Sequence, residues 1–260
     1  MMCRGWLLAW VLGCVGLLVI GCSSGSSGSA GSASSSEAGG GGDPKSTLVD
    51  ALKKMDGLDT YQAELSMPGM DVGPGIQMTT KSHIEASVKD DVIYQVTEVS
   101  GGPTGTSKQE NLIRGSEFLM RSDLFGTAFG ASPDTWFRAP AAGQGNAMIV
   151  SMLFAPAAQA ITEVSDQGTA AGGDVTVYRA TLDPSKFRSA LSSANVPGGI
   201  PTDKIPAPGT IDYGVGTDGY VHTIAFTMGD GAPQTTIDVH DYNSTLNLPN
   251  PTDIRDMPTG

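Results

Sequence analysis

The stretch Met78-Thr79-Thr80-Lys81-Ser82-His83-Ile84-Glu85-Ala86-Ser87-Val88 decides the fold class. Met78, Thr80, Ser82, Ile84, Ala86 and Val88 fall on one side of an extended chain, while Thr79, Lys81, His83, Glu85 and Ser87 fall on the other. A period of two with one wetter side is the pattern of a half-buried antiparallel strand. The same period runs through Tyr61, Ala63, Leu65 and Met67, which alternate with Gln62, Glu64 and Ser66. Further strands are expected at Val92–Val99, Lys108–Arg114, Glu117–Arg121, Val175–Leu182, Ile211–Val215, Tyr220–Met228 and Thr235–Tyr242.

Helices are few. One opens the domain, capped by Ser46 or Thr47, with Leu48, Leu52 and Met55 on one side and Gly57 as its stop. A second is expected over Asn146–Val164, kinked or split at Pro156. A third starts from Asp183 as N-cap with Pro184 in the first helical position, and places Phe187 and Leu191 four residues apart. The expected class is α+β: a large antiparallel sheet with a few helices gathered against one face.

Upstream of this domain the composition changes twice. Arg4 followed by the apolar run Trp6–Ile20 reads as an export signal, too short and too interrupted by Gly13, Gly16 and Gly21 for a comfortable membrane span. Val19-Ile20-Gly21-Cys22 resembles the bacterial lipobox. That resemblance implies cleavage before Cys22, acylation of its thiol, and anchoring on the outer face of the cytoplasmic membrane. Residues 1–21 are then the signal peptide. Residues 22–44 are almost wholly Ser, Gly and Ala, a tether that cannot bury apolar surface. Its r.m.s. reach is about 25 Å. Residues 45–260 form the single folded domain. Cys3 and Cys14 lie in the removed segment, so the mature chain holds one cysteine and the domain no disulfide.

The chain carries 15 Lys+Arg against 27 Asp+Glu, net −12, and loss of Arg4 with the signal makes it −13. An acidic domain argues against nucleic acid and against electrostatic adhesion to anionic lipid. Membrane contact is left to the acyl anchor.

Three motifs dissolve on inspection. Gly214-Val215-Gly216-Thr217-Asp218-Gly219 matches G-x-G-x-x-G, but a strand follows where a dinucleotide site needs a helix. Asp218-Gly219 reads instead as a two-residue hairpin turn, pairing Val215 with His222, Tyr213 with Ile224 and Ile211 with Phe226. A register that sets His222 beside His240 would put Asp238 opposite Ile224. Opposing Phe226 with Thr235 and Ile224 with Ile237 keeps the apolar faces together, separates the two His and removes the metal reading. Gly21-Cys22-Ser23-Ser24-Gly25 fits G-x-S-x-G, yet it straddles the cleavage site and the tether, where no strand-to-helix elbow forms. No catalytic residue, metal or cofactor is expected.

The order of lipobox, tether, opening helix, strand meander, central helices and final hairpin resembles the mycobacterial LppX/LprG lipoproteins, within the wider LolA/LolB-like group. The likeness rests chiefly on Phe118–Pro140, where a strand leads into Asp134-Thr135-Trp136-Phe137-Arg138-Ala139-Pro140, and on the Pro-rich, aspartate-containing tail after Thr235. It implies a strongly curved sheet, a half-open barrel with helices on its concave face. It also implies an apolar cavity that takes up acyl chains of lipids or glycolipids and carries them across the envelope. Candidate lining residues are Met148, Met152, Leu153, Phe154, Ile84, Ile224 and Phe226, adaptable or large groups suited to flexible chains. The same side chains also read as ordinary core. Two functions therefore stand: a lipid-binding or lipid-transfer lipoprotein, its transporter partner unspecified, and an envelope scaffold or sensor that binds a protein partner.

Overall fold

The computed structural model describes residues 43–73, 76–102, 105–139, 150, 153–170, 173–193, 207–227 and 233–258. Helix α1 (Pro44–Asp56) leads into a meander of β1 (Thr60–Gly73), β2 (Ile76–Ser87), β3 (Val92–Gly102), β4 (Gly105–Arg114) and β5 (Glu117–Ser122). Then come α2 (Asp123–Phe129), β6 (Trp136–Arg138), α3 (Ala155–Ala160), β7 (Ile161–Thr169), β8 (Val175–Leu182) and α4 (Pro184–Ser193). The chain closes with β9 (Thr210–Gly216), β10 (Val221–Phe226), β11 (Thr235–His240) and β12 (Ile254–Asp256).

All the strands join one open 12-stranded sheet in the order β12-β6-β5-β4-β3-β2-β1-β11-β10-β9-β8-β7. Every pairing is antiparallel except β12 on β6. The α+β architecture expected from the alternation is present: a curved sheet with, among the described residues, four helices. α1 lies against α3 and against β7, β9 and β10, and α3 packs on α4. α1 buries Leu48, Ala51, Leu52 and Met55. One core cluster joins these to inward residues of β1, β2, β4, β5, β8, β9, β10 and β11.

Four details depart from the sequence reading. α1 begins at Pro44, earlier than a Ser46 or Thr47 cap allows. The expected helix over Asn146–Val164 ends at Ala160, and Ile161–Thr169 is instead the edge strand β7, paired with β8. Its apolar residues suggested a helical face, but Glu163-Val164-Ser165-Asp166 alternates along an exposed edge where a strand needs little apolar surface. The hairpin between β9 and β10 closes through three residues, not two: the Gly216 amide donates to the Tyr220 carbonyl, and Gly219 takes a positive φ of 76°. A single left-handed Gly after a type I turn is the usual form of such a loop. This pairs Val215 with Val221, and a bulge at His222 then restores Tyr213–Ile224 and Ile211–Phe226 as expected. The fourth departure is α2, capped by the Ser122 hydroxyl and closed by left-handed Gly130, in a stretch with no helical stripe.

The tail after β11 straps the outer side of the sheet. Asn243 accepts from the Asp59 amide at 2.9 Å, Asn247 donates its amide to Glu85 at 2.9 Å, and Arg114 donates to the Pro249 carbonyl at 2.6 Å. The Thr135 hydroxyl donates to Asp253 at 2.7 Å before β12 joins β6. Under this strap Leu112, Leu119 and Trp136 form a second small apolar cluster with Val92, Tyr94 and Ile254. The sheet is therefore two-sided only toward the β12 edge.

Candidate functional site

The concave face is best described by rows of paired residues. One row crosses nine strands: Tyr178, Tyr213, Ile224, Ile237, Leu65, Ser82, Thr97, Gln109 and Ser122. Cross-strand partners point to the same side of a sheet, so this row changes from apolar to polar between Leu65 and Ser82. The next row runs Val239, Ala63, Ile84, Gln95, Asn111 and Met120, and changes at Gln95. The row beyond it, Tyr61, Ala86, Ile93, Ile113 and Phe118, is apolar throughout.

Among the expected lining residues, Ile84 and Ile224 are 0% exposed, Leu153 2%, Phe154 3% and Phe226 4%, and all five belong to the one core cluster. Phe154 sits edge-on to Tyr61 at 5.8 Å between ring centres, and the Tyr213 hydroxyl donates to the Leu153 carbonyl at 3.0 Å. The segment before α3 is thus tied to the floor of the sheet. Met148, Met152 and Cys22 lie outside the described residues.

Sequence reading missed the polar half of this face. Thr80, Ser82, Gln95, Thr97 and Asn111 are all buried. Ser82 and Thr97 share a hydrogen bond at 2.9 Å, Gln109 donates to Asn111 at 2.8 Å, and Asn111 donates to Gln95 at 3.4 Å. The Gln95 side-chain nitrogen has no partner among the described residues. Burying such a donor unpaired costs about 1–3 kcal/mol, so it needs an explanation. The signal was available: Thr80 and Ser82 stand on the inner side of the strand that defines the fold.

A separate open groove of about 490 Å³ lies between α1 and the β9–β10 turn, lined by Thr47, Asp50, Lys54, Thr176, Tyr178 and Val215 among others. Lys54 is committed there, donating to the Asp218 carbonyl at 2.6 Å and lying 3.8 Å over the Tyr220 ring. It contains none of the expected lining residues.

His83 pairs with Glu64 at 2.6 Å, His222 with Asp218 at 3.0 Å, and His240 with Asp241 at 2.9 Å. Among the described residues no three metal-ligating side chains gather. Glu110, nearly buried, accepts from the Tyr94 hydroxyl at 2.7 Å and from Arg121 at 2.6 Å, with Lys108 at 3.4 Å. Burial works against its charge, but the hydrogen bonds from Tyr94 and Arg121 and the nearby cations outweigh it and hold the carboxyl below its ordinary range. A depressed carboxyl contributes stability above its unfolded pKa, and that contribution is lost as pH falls through the folded value. Glu110→Gln is expected to flatten the acid limb, losing less stability between about pH 5 and pH 3 than the parent; urea unfolding at both pH values checks it.

No family model and no curated relative matches the sequence. Solved structures do match. LprF from Mycobacterium bovis superposes with a TM-score of 0.52 at 12% identity, covering 80% of this chain and 96% of that one. The Mycobacterium tuberculosis lipoprotein LppX gives 0.47 at 11% identity, covering 79% and 97%. Among the described residues no helix is long and apolar enough to cross a membrane. An open antiparallel sheet with a few helices is the fold this chain shares with mycobacterial LprF.

Proposed function

We propose that the chain is a membrane-anchored envelope lipoprotein that holds acyl chains of lipids between its concave sheet and its helices, and carries them across the envelope. The observation that supports this best is the gathering of Ile84, Ile224, Phe226, Leu153 and Phe154, from far-apart parts of the sequence, on one concave apolar face under short helices. Acyl burial contributes about 0.8 kcal/mol per CH₂, so a single long chain suffices for retention and no cofactor is required. α3 has only six residues and α4 ten, and they pack on each other. Entry of a chain requires this pair to lift from the sheet together. The anchor is the acylated Cys22, and the Ser/Gly tether lets the domain approach the bilayer or swing clear of it.

One observation favours the second reading, a partner-binding scaffold: the five lining residues are packed at 4% exposure or less. The two are separated by a transfer assay. With the full chain added, a fluorescent dioleoyl lipid is expected to move from donor to acceptor vesicles at a rate proportional to protein concentration. A rate equal to the protein-free control would leave the scaffold.

A further inference from the structure

The two edges of the sheet are finished differently. β12, at one edge, is three residues long and is fixed by the tail that carries it. β7, at the other, runs nine residues, and among the described residues no strand pairs with its free side. A free edge offers a row of N–H and C=O groups to any extended chain, and proteins usually blunt it with Lys, Pro, bulges or shortness. β7 carries neither Lys nor Pro. Its two register irregularities fall near its ends, between Ile161 and Glu163 and between Asp166 and Thr169. Glu163–Asp166 is thereby left in unbroken pairing with Thr181–Tyr178. At the start of the strand Lys45 of α1 takes the Thr162 carbonyl at 3.0 Å, so the open stretch begins at Glu163.

The four residues of that stretch set out a pattern. Val164 pairs with buried Ala180 and Asp166 with Tyr178, on the inner side of the sheet. Glu163 pairs with Thr181 and Ser165 with Arg179, on the outer side. Arg179 is already committed, donating to both carboxylate oxygens of Asp212 at 2.7 and 2.8 Å. Among the described residues the exposed Glu163 carboxylate has no hydrogen bond or ion pair, and that of Asp166 accepts only from the Gly168 amide at 2.7 Å. Elsewhere on the sheet Glu110, Glu117 and Asp212 each have an arginine.

Side chains of an added strand would stand directly opposite these four, on the same faces. Opposite charges so placed stabilise and like charges destabilise. The edge therefore fits a cation opposite Glu163 and another opposite Asp166, with an apolar residue opposite Val164 and a polar one opposite Ser165. A second copy of this chain fits poorly: it would bring its own Glu163 and Asp166 into the seam, in a chain of net charge −12.

We infer that the free edge of β7 is a docking site for a basic, extended segment of a partner protein, added antiparallel as a further strand of the sheet. Main-chain hydrogen bonds supply the attachment and the two carboxylates the selection. Read from its N-terminus, the segment runs basic, polar, apolar, basic. The site lies on the edge and is independent of acyl-chain binding.

The test is fluorescence anisotropy of the full chain with a labelled peptide carrying Lys-Thr-Val-Lys at its centre, against the same peptide with Glu for both Lys. The lysine peptide is expected to bind tighter by on the order of tenfold, from two cross-strand charge pairs made in one peptide and opposed in the other. Glu163→Gln with Asp166→Asn is expected to bring that ratio to within about twofold at an unchanged melting temperature, both side chains being exposed. Two further peptides, N-methylated on one or the other alternate set of residues, separate strand addition from attraction between charges. The set whose N–H groups face β7 loses binding and the other keeps it, because successive residues of an antiparallel strand bond to opposite neighbours. Equal binding of the two charge forms, binding kept by both methylated peptides, or no binding at all would overturn the inference. So would a dimer of the full chain in sedimentation that the paired Gln and Asn substitutions strengthen, which would give the edge to a second copy.

Discussion

Replacing Phe154 by Ala is expected to destabilise the domain by about 3–5 kcal/mol, the cost of deleting a buried aromatic ring and leaving its cavity. The ring is nearly fully buried and meets Tyr61 edge-on, and it begins α3 directly after Leu153, whose carbonyl accepts from buried Tyr213. A domain of this size holds about 5–15 kcal/mol in all, so about a fifth or more is at stake. The effect reads as a lowered urea midpoint at an unchanged slope. The proposed function adds a second expectation: the space opened beneath α3 lies on the acyl-binding face. At low denaturant, lipid uptake by Phe154→Ala is expected to equal or exceed that of the parent even as stability falls. A variant as stable as the parent would mean that α3 is not seated on the sheet.

Cys22→Ala has the other large effect, on place instead of stability. On the proposed function, removing the thiol removes the acyl anchor, and the acidic domain has no attraction for anionic head groups. The protein is expected to pass from the membrane fraction to the medium nearly completely, with an unchanged melting temperature, because Cys22 stands in a Ser/Gly/Ala-rich stretch whose composition offers almost no apolar surface to bury. Fractionation followed by immunoblotting checks it. A variant still sedimenting with membranes would remove the lipobox from the account.

How much of this could be read from residues alone differs between parts of the molecule. The strand Met78–Val88 announced itself because its alternation is strict and one side is wet. The pairing of β10 with β11 followed from keeping Ile224 against Ile237, since a slip of one residue would send every side chain to the wrong face. The hairpin turn was placed correctly but its length was not: the three-residue loop and the bulge at His222 cancel, so the pairs farther along look the same either way. β7 was hidden because an edge strand needs no apolar face, and Ile161 and Val164 read as the end of a helical apolar stripe that runs through Leu153 and Ala160. Short β6 and β12 hold their places through the tail, with Arg138 bridging Glu117 at 2.9 Å and Asp256 at 2.8 Å, contacts no local pattern encodes. Of the candidate site, Ile84, Ile224 and Phe226 were legible as inward residues of alternating strands. Of the polar half only Thr80 and Ser82 were legible, on the inner side of the defining strand; the rest depends on register across three strands, since Gln95 matters only beside Ile84 and Asn111.

The most direct test is native mass spectrometry, with organic extraction, of the full chain purified from an actinobacterial host. The account predicts a non-covalently held lipid at close to one per protein, distinct from the covalent anchor and released by solvent. A protein mass carrying the anchor alone, with no uptake when acyl lipids are added, would contradict it.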